Sequence, residues 1–186
     1  MRSIPIALAS TLLLFCSQNA AASFVDHPVH SPLWTNQYDR YFKKYSKRYF
    51  GPLFDWHWFK AQAIAESALK HDAESHVGAR GIMQIMPGTF GDILKKNPHF
   101  IDVDNPHWNI AAGIYYNRTL YRKIKNAPEQ DKLYMTFASY NAGYGRILNA
   151  SKRTGNKEKI WSEIKMYLPK ETRGYVHRIR KLMGEH

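Results

Sequence analysis

The chain has 186 residues, 44% hydrophobic and 14% aromatic, which suffices for one buried core and excludes an intrinsically disordered chain. Lys and Arg outnumber Asp and Glu by 27 to 15, a balance that suits an anionic partner (nucleic acid, anionic lipid or an acidic polymer) or serves solubility alone. A lone cysteine excludes a disulfide framework.

Residues 1–22 read as an export signal. Arg2 supplies the positive start, Ile4 to Phe15 is apolar, and Ala20-Ala21-Ala22 offers a cleavage site before Ser23. The apolar run is too short to span a bilayer comfortably. Cleavage there removes Cys16 and leaves a cysteine-free domain held by packing. Leu13-Leu14-Phe15-Cys16 also places a cysteine after an apolar run, as a lipid-modified signal does, although bulky Phe15 stands where such signals carry a small residue. Membrane attachment is expected only if Cys16 is lipidated.

Residues 23–54 form a lead-in. Phe24 to Pro32 carries two prolines and no periodicity, so an irregular arm is expected. In the following stretch Tyr38, Tyr41, Phe42, Tyr45 and Tyr49 recur at helical steps among Arg40, Lys43, Lys44, Lys47 and Arg48. An amphipathic helix that buries its aromatic face explains this pattern more simply than nucleobase stacking does. Gly51-Pro52 ends it.

Asp55 is placed to cap a helix from Trp56 to about Lys70. Its stripe is Ala61, Ile64, Ala65, Ala68 and Leu69, and Glu66 lies at the flank, about 140° from Ala61. A polar segment, Lys70 to His76, leads to the apolar loop Gly78-Ala79-Arg80-Gly81-Ile82-Met83-Gln84-Ile85-Met86-Pro87. Further helices are expected over 89–96, 108–125, from Asn126-Ala127-Pro128 to Gly143, 147–151, 157–166 and 170–183. No long strand pattern and no repeat occurs. The fold class is mainly α: one helical domain over 55–186, with a small β element at most, near residues 75–85.

Glu66 followed by an apolar loop is the arrangement that chemistry with a protonated carboxyl group needs, because an apolar wall disfavours the carboxylate. Asp72 and Glu74 lie in the polar segment and are not expected to act as a second acid. His71 to His76 has the wrong spacing for two metal ligands on one helical face, so no metal site is expected despite nine histidines.

Glu66-Ser67, Ser75, the loop 78–87 and Ser139-Tyr140-Asn141-Ala142-Gly143 occur in the order and spacing of the soluble lytic transglycosylases, bacterial cell-wall enzymes with a lysozyme-like domain. Asn109-Ile110 with Gly113 and Tyr115-Tyr116, and Tyr175-Val176 near the end, are similar to that family as well. The resemblance covers roughly residues 56–183. It departs at Lys70-His71, where the family often has Asn-Pro, at Ile82 for Leu and at Ser139 for Ala; none of these removes a group the chemistry needs.

The resemblance implies an exported, periplasmic enzyme that cleaves peptidoglycan between N-acetylmuramic acid and N-acetylglucosamine without a cofactor. Glu66 would serve as the one acid/base and 1,6-anhydromuramic acid would be the product. Substrate contacts would come from Ser75, Met83, Gln84, Met86, Tyr140, Asn141 and Tyr175. Some of these have plainer explanations. Met83 and Met86 are equally suited to core packing, Tyr175 is a helical aromatic, and the Gln84 amide needs partners that a loop could also supply. A lysozyme-type hydrolase on the same fold and a non-catalytic wall-binding module remain as alternatives. A nucleic-acid-binding domain fits the charge but not the export signal.

Overall fold

The computed structural model describes residues 31–185. The export signal, Cys16 and most of the irregular arm lie outside them. The helices are α1 (Asp39–Phe50), α2 (His57–Ser67), α3 (Pro87–Lys96), α4 (Pro106–Lys123), α5 (Glu129–Ala142), α6 (Tyr144–Thr154), α7 (Trp161–Ile164) and α8 (Lys170–Leu182), with a 3-10 turn at Lys165–Tyr167.

The first helix follows its aromatic periodicity. Phe42 and Tyr45 are buried and pack with Tyr38 into the common core, while Arg40, Lys43, Lys44, Lys47 and Arg48 are exposed. The rings needed to stack bases are therefore largely spent on packing. Packed chiefly on α4, α1 is an integral layer of the core and not an appendage to the helices from α2 onward.

The second helix is buried almost all round: Trp58 through Ile64 is a continuous buried run. Such a helix belongs at the centre of its domain. Asp55 assists its start, with Oδ1 accepting the His57 amide at 3.0 Å. It ends at Ser67, three residues before the sequence pattern suggests, because Ala68 and Leu69 both take left-handed backbone angles (φ 54° and 63°). Apolar periodicity continues through Leu69, which is buried, but the chain has already turned. Glu66 thereby sits in the last turn of α2.

The segment after α2 folds back twice. Isolated antiparallel bridges join Glu74 to Arg80 and Arg80 to Ile85, and this is the small β element expected near 75–85; no longer strand occurs among the described residues. Arg80 and Ile85 exchange both backbone hydrogen bonds, at 3.1 and 3.0 Å, closing a turn over Gly81 to Gln84.

Two glycines let that turn meet α4. A Cβ on Gly113, within α4, would lie 2.8 Å from Cβ and Cγ of Met83. One on Gly81 (φ 74°) would lie 2.3 Å from Nδ2 of Asn109. Asn109 is fully buried and pins the turn: Oδ1 accepts the Met83 amide at 2.7 Å, and Nδ2 donates to the Arg80 and Val103 carbonyls at 3.0 and 2.7 Å.

Gly81→Ala combines left-handed backbone strain with collision against an immobilised amide. It is expected to lower unfolding free energy by about 2 kcal/mol or more. Urea unfolding of the variant beside wild type measures the change.

Candidate active site

Glu66 projects from the end of α2 between α8 and α5. The Tyr175 hydroxyl, from α8, donates to Oε1 of Glu66 at 2.5 Å. The Tyr140 ring, from α5, stands close enough for the Glu66 charge to oppose its ionisation, and its hydroxyl donates to the Met83 carbonyl at 2.8 Å. Ser67, next to the acid, donates its hydroxyl to the Ile82 carbonyl at 2.9 Å, so the end of α2 is tied directly to the apolar turn.

Burial pushes the Glu66 carboxyl up to about 7; the Tyr175 hydrogen bond and the nearby Arg178 guanidinium pull the other way without overcoming it. Among the described residues no second carboxylate figures among the charged groups that act on Glu66. Asp72 and Glu74 are exposed and line a separate surface depression with His71, Arg80 and Asp104. Burial raises the Tyr140 and Tyr175 hydroxyls well above the usual phenol value, and the Glu66 charge adds to it. Both tyrosines are therefore neutral donors. No group of three or more His, Cys, Asp or Glu side chains among the described residues could hold a metal ion.

The remaining sequence candidates divide. Met83 is fully buried, its side chain against Gly113, so it packs the core and does not wall a cleft; its contribution is the carbonyl that receives Tyr140. Met86 is 41% exposed, at the N-cap of α3. Gln84 adopts a left-handed backbone (φ 45°), and its Nε2 donates to the Ala73 and Gly81 carbonyls at 3.0 Å each. The amide thus holds its own loop together, with Oε1 left as an acceptor.

Ser75 accepts the Ala79 amide at 2.9 Å through its hydroxyl and closes a turn within the loop. Asn141 is exposed at the end of α5. Tyr175 is 2% exposed, so it reaches the acid from within the core and does not line an open surface.

Two residues to which the sequence assigns no role in the site, Gln62 and the helical-stripe residue Asn117, stand behind Tyr175. Gln62 donates from Nε2 to the Tyr175 hydroxyl at 3.1 Å, and Asn117 donates from Nδ2 to Oε1 of Gln62 at 2.7 Å. Both are fully buried. The available signal was an amide in each of two apolar helical stripes, where a polar group must find a partner.

A helical domain arranged about one acid at the end of a central helix is of the lysozyme-like class. Residues 40–162 match the family model described as the Transglycosylase SLT domain, and the chain belongs to that family. Membrane-bound lytic murein transglycosylase F of Actinobacillus succinogenes is 34% identical over 143 residues, covering 73% of this chain and 28% of that protein. The protein of the same name from Vibrio parahaemolyticus is 32% identical over 132 residues, covering 69% and 23%. The crystal structure of the 70 kDa soluble lytic transglycosylase from Escherichia coli matches with a TM-score of 0.66 at 28% identity, covering 81% of this chain and 25% of that one. This chain thus spans about a quarter of the length of these relatives.

The raised Glu66 pKa has a consequence for stability. A carboxyl group that binds its proton more tightly when folded favours folding at low pH, and that advantage is lost as pH rises from the ordinary carboxylate range through about 7. Glu66→Gln removes the cost of ionising a buried acid. The variant is expected to be more stable than wild type by up to about 3 kcal/mol at pH 8 and nearly equal to it at pH 4. Thermal or urea unfolding at the two pH values measures the difference.

Proposed function

We propose that the chain is an exported peptidoglycan lytic transglycosylase in which Glu66 acts alone, first as acid and then as base. The observation that carries this reading is one part-buried carboxyl group whose pKa is raised to about 7, with a neutral tyrosine donating to it and no second carboxylate acting on it among the described residues. Two-carboxylate glycosidases need a partner acid as base or nucleophile. A transglycosylase does not.

Glu66 protonates the glycosidic oxygen between N-acetylmuramic acid and N-acetylglucosamine as that bond breaks. The muramyl N-acetyl group stabilises C1 from within the substrate. The carboxylate then removes the proton of the sugar's own 6-hydroxyl, whose oxygen bonds to C1 and closes the 1,6-anhydro ring. No water is consumed and Glu66 returns protonated. Tyr175 stabilises the intermediate carboxylate through Oε1. Met86 supplies apolar surface, while the Gln84 Oε1 and the Asn141 amide are free to meet sugar hydroxyls or the acetamido group.

The names of the relatives, the cationic balance of the chain and the export signal in residues 1–22 support an anionic wall polymer as substrate. Mass spectrometry of muropeptides released from purified peptidoglycan tests the proposal. The expected products end in anhydromuramic acid, and Glu66→Gln is expected to lose at least about 100-fold in rate. The wild-type rate should fall as pH rises through about 7, where the acid ionises. Reducing-end products would make the enzyme a hydrolase on the same fold; binding without release would make it a wall-binding module.

A further inference from the structure

Behind the acid lies a polar file through the core that the proposed chemistry does not itself require. It runs from α4 through α2 to α8 and back to α2: Asn117 to Gln62 at 2.7 Å, Gln62 to Tyr175 at 3.1 Å, and Tyr175 to Glu66 at 2.5 Å. Asn117, Gln62 and Tyr175 are all 2% exposed or less. Each bond is donated in the same sense, toward the carboxyl group. Amides buried this deeply cost free energy unless they are paired, and Oδ1 of Asn117 finds no protein partner among the described residues. A core built only for packing would carry apolar side chains here.

Direction follows from the chemistry of the groups. Asn117 spends its amide protons on two acceptors, Oε1 of Gln62 and the Gly113 carbonyl at 3.1 Å, and this fixes which way its amide lies. With Oε1 of Gln62 engaged by Asn117, the nitrogen of Gln62 must face Tyr175. A nitrogen there is a donor only. The Tyr175 hydroxyl, accepting a hydrogen bond on one side, has a single acceptor for its own proton among the described residues: Oε1 of Glu66. Were the Gln62 amide reversed, its oxygen would compete with Glu66 for that proton.

We propose that Gln62 and Asn117 are positioning residues that commit the Tyr175 proton to Oε1 of Glu66 and so leave Oε2 as the oxygen that carries and delivers the catalytic proton. The word catalytic rests on the function proposed above; the directed file does not. Tyr175 and Arg178 from α8 and Tyr140 from α5 are the titratable and charged groups acting on or facing Glu66. Among these, only Tyr175 hydrogen-bonds it, so the file reaches the acid by one route.

The test is the titration of the Glu66 carboxyl carbon followed by 13C NMR, which needs no substrate. Tyr175→Phe is expected to raise the midpoint by about one pH unit or more, because a hydrogen bond to the charged form is lost. Gln62→Met, close in volume and unable to donate, is expected to raise it part of the way. Asn117→Leu, which releases the Gln62 amide to turn, should do the same.

In the Tyr175→Phe background, neither Gln62→Met nor Asn117→Leu should add a further shift, since both act through that hydroxyl. An unmoved midpoint in the single variants overturns the proposal, and so does a shift that is undiminished when Tyr175 is already Phe. If Gln62→Met does not fold, Asn117→Leu carries the same comparison from one residue further out. Failure of the enzyme to release anhydro products would leave this titration standing, so the two proposals fall separately.

Discussion

The structure depends on largely withdrawing one carboxyl group from solvent at the end of a helix and holding it there without an opposite charge in contact. An isolated acid on an exposed helix end would be ionised at neutral pH and swing freely. Here Tyr175 holds the carboxyl group itself, Ser67 ties the adjacent residue to the Ile82 carbonyl, and Tyr140 ties the Met83 carbonyl to α5. These hydrogen bonds join α2 to α8, and the apolar turn to both α2 and α5. The acid is positioned because three elements converge on one helix end.

That convergence needs a turn able to approach helices closely. Side chains at positions 81 and 113 would hold the turn away from α4, and Asn109 would lose the backbone groups it satisfies. Met83 occupies the space above Gly113, where its flexible chain fills the contact and leaves its carbonyl for Tyr140. Glycine, asparagine and methionine therefore act as one unit. The turn is held by pairing of its backbone groups with side chains from α4 and α5, and not by membership of a sheet.

Most of the helices were legible from periodicity, and Glu66 with Tyr140 from ordered motifs. The end of α2 was not: apolar spacing runs on through Leu69, and only backbone angles reveal that the chain reverses at Ala68. The roles within the loop were also hidden. The family resemblance implied substrate contacts at Met83, Gln84 and Ser75, with core packing open for Met83 and loop partners for Gln84; the structure spends Met83 on the core and gives Gln84 and Ser75 loop hydrogen bonds. Hydropathy cannot tell a residue that walls a cleft from one that packs the layer beneath. Gln62 escaped for a related reason, since periodicity arguments count apolar residues and pass over the amides between them, while Asn117 fits the stripe of its helix and periodicity gives it no partner. Their pairing spans 55 residues and exists only in three dimensions.

Single-acid chemistry sets a narrower requirement than a two-carboxylate site does. One group must hold a proton firmly before bond cleavage and accept another soon afterwards, so its pKa must lie near the working pH. Burial alone drives a carboxyl group too far toward the neutral form and would make a poor base of it. The Tyr175 hydroxyl and the Arg178 charge restrain that rise, and the balance comes to rest at about 7. A full counter-charge in direct contact would overshoot in the other direction and ionise the acid outright. A neutral tyrosine is a weaker instrument, and its own ionisation is suppressed by the same burial that lifts the acid. Burial and hydroxyl donor thus work against each other on one carboxyl group, and the reaction proposed for Glu66 rests on burial prevailing only as far as about 7.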